Sequence, residues 1–196
     1  MGCGTTVEVI NLFSTPILEH KFDFNLDYIL EVCDEIKEKD PTGVKISNVI
    51  GWQSKHDIQS AFPYEFYCIL EKARIFAKKI GLNSNLKIDC AWININEKGG
   101  YNQNHDHPNC ILSGVLYVKT PKQCGSIEFL NPNRKSIDRD WSGNAVSDCT
   151  QSTSSVWKMI PEENVAYIFP SWIDHQVYPN LSDEKRISIS FNISKS

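Results

Sequence analysis

The sequence predicts a mainly β domain of the jelly-roll or sandwich type, with helices from its N-terminal part packed on one sheet. Two observations support this fold class: amphipathic helical patterns occur before Gly81, and short β-rich runs separated by turn residues follow it. That number and spacing of strands is typical of double-sheet folds. With 196 residues the chain fits one domain, in which residues 1–84 supply strands and covering helices and residues 85–196 form the β core.

The N-terminal part contains two strand-like segments, VEVINLF and PILEHKFDF, followed by the two helical patterns. In the first pattern, apolar residues recur at helical spacing from Leu26 to Ile36, and the Asp-Pro pair beyond them ends the helix. The second pattern begins at Pro63, which suits a first helical turn, and Gly81 is placed to cap its end. Since each helix has one apolar face, we expect both to pack against the core.

The β-rich runs occupy most of the chain after the second helix. They are LKIDCAWINI, ILSGVLYV, SIEFL, VAYIF and RISISFNI. All are rich in the β-branched and aromatic residues that favour strands. Between the third and the fourth run, the segment from Asn131 to Ser155 is rich in serine, aspartate and asparagine, which predicts a long surface loop.

Composition and charge argue against several classes of protein. A net charge of -4 provides no broad positive surface, so nucleic acid is not expected as a partner. The N-terminus has neither a basic region nor a long apolar stretch, so neither a signal peptide nor a membrane span is expected. Its start, Met1-Gly2-Cys3 with Thr6, matches an acylation signal only loosely. Seven cysteines without a CxxC pair favour a reducing compartment and hence the cytoplasm.

Three of the five histidines lie in two β-rich segments, and their spacing suggests a metal site. Side chains two apart on a strand share a face, so His105 and His107 can converge on one metal while Asp106 points away. His175 can supply a third ligand from a neighbouring strand and leave positions open for substrate, as a catalytic metal requires. The alternative is an accidental surface pair together with an unrelated buried imidazole.

An arginine follows the third histidine at a distance that suggests a second function for the site. Pro-Asn and Ser-Asp pairs between His175 and Arg186 predict a tight reversal, which would place the two residues on adjacent antiparallel strands. A guanidinium in that position could hold the far carboxylate of a small diacid that chelates the metal.

The strand that begins at this arginine alternates strictly between polar and apolar residues. Arg186, Ser188, Ser190 and Asn192 share one face, and isoleucines and a phenylalanine share the other. Either the polar face lies in water, or it lies inside a ligand cavity while the apolar face packs on the helices.

Three segments together carry a family resemblance. They are WININEKGGYNQNHDHPNCILSGVLYV, CGSIEFLNP and VAYIFPSWIDHQVYPNLSDEKRISISFN. From about Phe13 to Ile193 the chain resembles the 2-oxoglutarate- and Fe(II)-dependent oxygenases of bacteria and phages, relatives of the prolyl hydroxylases. The resemblance is specific because four motifs occur together. They are HxH-P with SGVLYV, and FPSW-x-x-H with R-x-S.

The resemblance implies a double-stranded β-helix that couples oxidative decarboxylation of 2-oxoglutarate to hydroxylation of an unknown peptidyl or small-molecule substrate. It implies Fe(II), 2-oxoglutarate and O₂ as partners, in the cytoplasm of the cell or of a phage host, and leaves a homo-oligomer open. It places the catalytic iron at the three histidines and the 2-oxoglutarate carboxylate at Arg186 and Ser188, with Tyr117 touching the cosubstrate. Asn94, Tyr101 and Gln103 are weaker candidates for the cavity wall.

The chain departs from the usual metal motif of these enzymes, HxD with a distal histidine, because His107 occupies the second position. A local bulge could instead bring Asp106 to the metal. Three neutral imidazoles make zinc a competitor for iron. Two alternatives therefore stay open: a three-histidine cupin-type enzyme that does not use 2-oxoglutarate, and a non-catalytic β-sandwich binding module.

Overall fold

The computed structural model of the protein describes residues 7–141 and 143–196, so the start Met1-Gly2-Cys3 with Thr6 lies outside the described residues. Within them the chain forms three α-helices, nine strands and two short 3₁₀ turns. The helices are α1 (Leu26–Lys39), α2 (Pro63–Lys79) and α3 (Arg134–Asp140). The strands are β1 (Leu18–Lys21), β2 (Asn48–Gln53), β3 (Leu86–His105), β4 (Leu112–Lys119), β5 (Ile127–Leu130), β6 (Val156–Met159), β7 (Val165–Pro170), β8 (His175–Val177) and β9 (Arg186–Lys195).

The strands form one curled antiparallel sheet in the order β1-β7-β4-β9-β3-β8-β5-β6, with β2 also paired to β3. The long strand β3 determines the shape of the sheet. Its first part pairs with β9 from Leu86 to Asn96, and its second part pairs with β8 at Asn102 and His105. Because β3 belongs to both halves, the sheet curls around an interior space. The predicted jelly-roll architecture is confirmed.

Helices α1 and α2 cover the outer face of one half of the sheet. The side chain of Asn25 caps α1 by accepting the Tyr28 backbone N–H, and Pro63 starts α2. The apolar face of β9 packs with the helices in the larger core cluster, which includes Ile29, Ile69, Ile187, Ile189 and Phe191. Each such buried side chain stabilises the fold by roughly 1.5–3 kcal/mol. The expectation that the apolar face of β9 packs on the helices is confirmed.

A second, smaller apolar cluster lies on the inside of the curl. Val115, Phe129, Tyr167 and Phe169 belong to it and are almost fully buried. Phe129 on β5 lies directly opposite His175 on β8, so this cluster borders the residue that the sequence suggests as a metal ligand.

Most of the predicted elements are present, with three differences. The segment VEVINLF forms no strand: Val7 to Phe13 is exposed and pairs with no neighbour, and β-propensity without a partner strand does not make a sheet. In PILEHKFDF the strand is only Leu18–Lys21. The stretch from Asn131 to Ser155 is not entirely loop, because it contains the short helix α3.

The prediction that His175 and Arg186 lie on adjacent strands is wrong. His175 faces His105 and Arg186 faces Asn96, so β8 and β9 both pair with β3 but not with each other. The connection between them crosses from one half of the curl to the other. Asn180, fully buried, holds this crossing by donating to the carbonyl oxygens of Asn96 and Glu184.

Six cysteines lie in the described part of the chain, and all are free thiols. None of the helices there is long and apolar enough to cross a membrane.

Candidate metal centre

Three imidazoles converge inside the curl. His105 ends β3, His107 follows two residues later, and His175 begins β8. Their nearest ring nitrogens all lie within 4.8 Å of one another, and the ring centroids of His105 and His175 are 4.4 Å apart. In the ranges that the structure describes, no other set of three histidine, cysteine or acidic side chains is grouped in this way.

Backbone carbonyl groups fix the orientation of two of the rings. Nδ1 of His105 lies 2.6 Å from the carbonyl oxygen of Gln103, and Nδ1 of His175 lies 3.0 Å from that of Ile173. A carbonyl oxygen only accepts hydrogen bonds, so each Nδ1 carries the proton and each Nε2 keeps its lone pair. This is the arrangement in which a histidine presents Nε2 to a metal while a neighbouring acceptor holds the ring.

Burial keeps the three imidazoles uncharged at neutral pH. Desolvation lowers the pKa of His105, lowers that of His107 to about 4 and lowers that of His175 to about 3. Repulsion between the neighbouring rings lowers the pKa of His107 and His175 further. Phe129 and Phe169 pack against His175 with ring centroids 6.1 and 4.9 Å away, which makes that side of the cluster apolar. The cluster is therefore available as three neutral nitrogen ligands.

The two carboxylates next to these histidines in sequence do not join the cluster. Asp106 is exposed, and Asp174 pairs with Arg134 of α3 at 3.0 Å. The pairing of β3 with β8 does shift register between Asn102 and His105, as a bulge would. The group of three nevertheless contains His107 and not Asp106.

Arg186 lies at the other end of the same interior space and has no acidic partner. It is 1% exposed, and its Nη1 donates to the carbonyl oxygens of Cys124 and Tyr178. Its Nη2 has no hydrogen-bond partner, and Arg186 takes part in no ion pair within the described residues. Burial lowers the pKa of this guanidinium, yet an arginine stays protonated in proteins. A buried cation without an acidic partner is a favourable binding site for an anion.

A row of polar side chains crosses the sheet next to this arginine. Tyr117 on β4 faces Ser188 on β9, and Ser188 faces Asn94 on β3. The Tyr117 hydroxyl and the Asn94 amide oxygen are buried without a hydrogen-bond partner. Desolvation raises the pKa of Tyr117 well above its usual range, so the hydroxyl stays a neutral donor. The Tyr117 hydroxyl and Arg186 Nη2 are therefore free to donate to an oxyanion, whereas the Asn94 oxygen is an unpaired acceptor.

A cavity of about 40 Å³ joins the imidazoles to the arginine. Its lining residues are Ser47, Trp92, Asn94, Asn96, Asn102, His105, His107, Gly114, Val115, Tyr117, Ile127, Phe169, His175, Val177, Arg186, Ser188 and Ser190. With the histidines neutral, Arg186 is the sole charged group in this lining. The imidazole nitrogens at one end can therefore bind a metal ion. Arg186 at the other end can bind a carboxylate of a diacid that reaches across the cavity.

The three residues suggested for the cavity wall differ in position. Asn94 lines the cavity, whereas Tyr101 and Gln103 do not. Asn102, which lies between them on β3, lines the cavity in their place. Among the residues that sequence reasoning missed, Asn96 could have been found, because it lies two positions beyond Asn94 on the same strand. Ser47 and Asn102 carry no comparable sequence signal.

His56 is a further residue near the site that the sequence did not indicate. Its ring stacks on Trp92 with centroids 4.6 Å apart, and Trp92 lies 5.6 Å from the ring of His107. Nε2 of His56 lies 3.0 Å from Nε2 of the buried Gln53. Trp92 thus lines the cavity on the His107 side, and His56 supports it by stacking.

Comparison with known families and structures agrees with this geometry. Residues 90–192, just over half of the chain, match the family model described as "Putative 2OG-Fe(II) oxygenase". No curated protein matches the sequence significantly.

Similar solved structures share the fold at low sequence identity. The non-heme α-ketoglutarate-dependent carbocyclase SnoK from nogalamycin biosynthesis is 12% identical, with a TM-score of 0.66 over 93% of this chain and 80% of that chain. A prolyl-4-hydroxylase from Pseudomonas putida is 12% identical, with a TM-score of 0.60 over 92% of both chains. HygX from Streptomyces hygroscopicus, crystallised with nickel and 2-oxoglutarate, is 11% identical, with a TM-score of 0.61 over 93% of this chain and 84% of that chain.

Proposed function

The chain belongs to the 2OG-Fe(II) oxygenase family, and from this premise we propose that His105, His107 and His175 hold Fe(II) while Arg186 binds 2-oxoglutarate. The protein is a 2-oxoglutarate- and Fe(II)-dependent oxygenase. One observation supports the assignment of residues above all others: an imidazole cluster and a buried guanidinium without an acidic partner share one cavity.

The donor set suits a catalytic iron. Imidazole nitrogen is a common ligand of non-heme iron, and His105, His107 and His175 would hold the ion at the wall of the cavity. When bound, the iron supplies the redox chemistry that couples decarboxylation of 2-oxoglutarate to hydroxylation of the substrate. The chain's own contribution is to hold the rings through the carbonyl groups of Gln103 and Ile173 and to keep them unprotonated through burial.

The opposite end of the cavity suits a carboxylate. Arg186 Nη2 and the Tyr117 hydroxyl are buried donors without partners, and Ser188 lies next to both in the sheet. A guanidinium and neutral hydroxyls bind carboxylate strongly in an apolar setting. We assign them the carboxylate of 2-oxoglutarate farther from its keto group, with Asn94 as a neighbouring contact.

The space beside His107 is where a substrate would approach. Trp92 lines that side with His56 stacked on it, and the apolar side chains Val115 and Phe169 also line the cavity. We propose that a peptidyl side chain or a small molecule enters here, and that the apolar wall excludes water from the reacting atoms. The free thiols of the described cysteines support a cytoplasmic location.

Anaerobic titration of the metal-free protein with Fe(II) and then with 2-oxoglutarate tests the proposal. We expect the weak visible charge-transfer band of the chelate to appear and to saturate with 2-oxoglutarate. Arg186→Met removes the buried cation and should weaken 2-oxoglutarate binding by at least about tenfold, because charge-assisted hydrogen bonds of this kind are worth roughly 1.5–3 kcal/mol. The exposed arginine of α3, changed as Arg139→Met, is the matched control and should leave binding unaltered. Iron-loaded, folded protein that shows no band would refute the proposal.

A further inference from the structure

We propose that Ser171 is a positioning residue of the metal centre, which acts by holding His107 in place as a ligand. This inference deepens the proposed function and rests on it. His105 ends β3 and His175 begins β8, but His107 lies beyond the strands. Its position must therefore be fixed by contacts other than those of the ladder between β3 and β8.

The ring of His107 lacks the support that the other two rings have. The carbonyl groups that orient the rings of His105 and His175 have no counterpart at His107 within the described residues. Trp92 packs near the His107 ring with centroids 5.6 Å apart, but such an aromatic contact is less directional than a hydrogen bond. The direction of this imidazole therefore depends mainly on the backbone that carries it.

The sequence around His107 favours a definite shape for that backbone. Pro108 disfavours a helical conformation at the residue before it, so His107 stays extended and continues the alternation of faces begun at His105. Asn109 then adopts a φ of 68°, in the left-handed region that asparagine tolerates better than most residues. The chain thus turns sharply after His107 and returns to the sheet at Leu112, the first residue of β4.

Ser171 closes this turn with three hydrogen bonds. Its carbonyl oxygen accepts the His107 backbone N–H at 2.9 Å, and its own N–H donates to the Ile111 carbonyl oxygen at 3.3 Å. Its hydroxyl donates to the Cys110 carbonyl oxygen at 2.5 Å. Because Ser171 is only 4% exposed, water competes weakly for these bonds. One residue therefore holds both ends of the turn.

The place of Ser171 in the fold suits it to this role. It directly follows β7, whose last residue, Pro170, pairs with Leu112 of β4. It also belongs to the short segment that leads to His175. A residue anchored at the end of the ladder between β4 and β7 therefore links the segment of the third ligand to the turn that carries the second. The serine side chain matters because the hydroxyl, and not the backbone, donates to the carbonyl oxygen of Cys110.

This arrangement determines which residue occupies the second ligand position. A shift of the chain by one residue would exchange the faces of His107 and Asp106. Holding the turn at both ends prevents this shift, and His107 belongs to the group of three while Asp106 is exposed. Ser171 thus contributes to the identity of the ligand as well as to its orientation.

Visible titration of the metal-free full chain with Co(II) measures the affinity of the centre and, through d–d absorption, its geometry. Ser171→Ala removes the hydroxyl bond and should weaken Co(II) binding by about tenfold, as is usual for residues that orient metal ligands. Ser154→Ala is the matched control, because Ser154 is also buried and its hydroxyl also donates to a backbone carbonyl oxygen, that of Thr150. Since Ser154 lies outside the cluster, this change should alter the affinity by less than about threefold.

A double-mutant cycle separates positioning from a general structural role. If Ser171 acts through His107, the change Ser171→Ala in a His107→Ala background should alter Co(II) affinity by less than about threefold. A residue that only stabilised the fold would cause the same loss in both backgrounds. Circular dichroism establishes that each variant is folded before it is titrated.

Hydrogen exchange of the wild type tests the same contact without any substitution. The His107 amide donates to Ser171, so it should be protected in the metal-free protein. Exchange at the rate of an unstructured amide would overturn the inference, and this measurement decides the matter if Ser171→Ala does not fold.

The outcomes distinguish this inference from the proposed function. If the wild type binds Co(II) no more tightly than His175→Ala does, the proposed function fails and this inference fails with it. If the wild type binds the metal through the cluster but Ser171→Ala binds it as tightly, this inference alone is overturned. The same holds if Ser154→Ala weakens binding as much as Ser171→Ala, or if the loss from Ser171→Ala is equally large without His107.

Discussion

At the scale of single residues, the site depends on charges that the chain leaves without partners. Arg186 is buried, and its Nη2 has no hydrogen-bond partner. His175 is buried and His105 and His107 are half-buried, and all three have pKa values lowered by desolvation. Neither feature stabilises the ligand-free protein, since a buried cation without a partner opposes folding, and depressed imidazole pKa values oppose it below pH 6.5. Such features are explained by the ligands that they are placed to bind.

The depressed pKa values predict how the stability of the metal-free protein depends on pH. The histidine pKa is 6.5 in the unfolded chain and falls to about 4 for His107 and about 3 for His175 in the folded protein. Between these values the unfolded state binds more protons, so stability is fully present above pH 6.5 and is lost progressively as the pH falls toward 4 and 3.

Urea denaturation of the metal-free protein at pH 7 and at pH 5 measures this dependence. We expect a lower free energy of unfolding at the lower pH, and a smaller difference in His107→Gln, which has one depressed imidazole fewer. Equal stability of the wild type at the two pH values would show that the cluster is not buried as described.

At the scale of elements, the strands differ in how well the sequence predicts them. Helices α1 and α2 and the strand β9 have long periodic patterns, and these predicted both their bounds and the faces that they bury. The three-residue strand β8 and the four-residue strand β6 are too short to give a pattern. The segment from residue 7 to 13 has the composition of a strand but no partner in the described structure, so local propensity was misleading there.

Gly114 on β4 provides a test of how closely the elements pack. A Cβ added there would lie 2.4 Å from the Phe191 ring and 2.8 Å from the Tyr167 carbonyl oxygen. Because both neighbours are buried, Gly114→Ala should lower the free energy of unfolding by about 1–3 kcal/mol through overpacking.

Thermal or urea denaturation measures the change, with Lys87→Ala at an exposed position of β3 as the control, where we expect a change within about 0.5 kcal/mol. A Gly114→Ala protein as stable as the wild type would mean that β4 and β9 are packed more loosely than the structure shows.

At the scale of the whole molecule, β3 brings the two ends of the site together. Its first part carries Asn94 and Asn96 opposite β9, and its last residue, His105, faces His175. The sequence could indicate the histidines and Arg186 by type and spacing, but not that β3 would pair with both partner strands. The prediction that β8 and β9 are adjacent was wrong for this reason. Pairing between distant strands depends on the whole sheet. That residues 1–196 form one domain, and the oligomeric state, stay predictions.

Metal binding should stabilise the whole fold, because the three ligands come from segments far apart in sequence. A metal ion at 100 times its dissociation constant adds about 2.7 kcal/mol to the stability of the folded state. For a chain of this size, that corresponds to a rise of roughly 5–10 °C in the melting temperature.

Differential scanning calorimetry of chelator-treated protein with and without Co(II) measures this rise. His175→Ala should abolish it, whereas His20→Gln, which changes a histidine on β1 outside the cluster, should leave it intact. The same rise in wild type and His175→Ala would place the metal elsewhere.

The most direct test of the central claim is an anaerobic crystal structure of the full chain with Fe(II) and 2-oxoglutarate. We predict that the metal is bound by Nε2 of His105, His107 and His175, and that a carboxylate of 2-oxoglutarate lies within hydrogen-bonding distance of Arg186 Nη2. Iron bound by Asp106 in place of His107, or 2-oxoglutarate bound away from Arg186, would contradict the account.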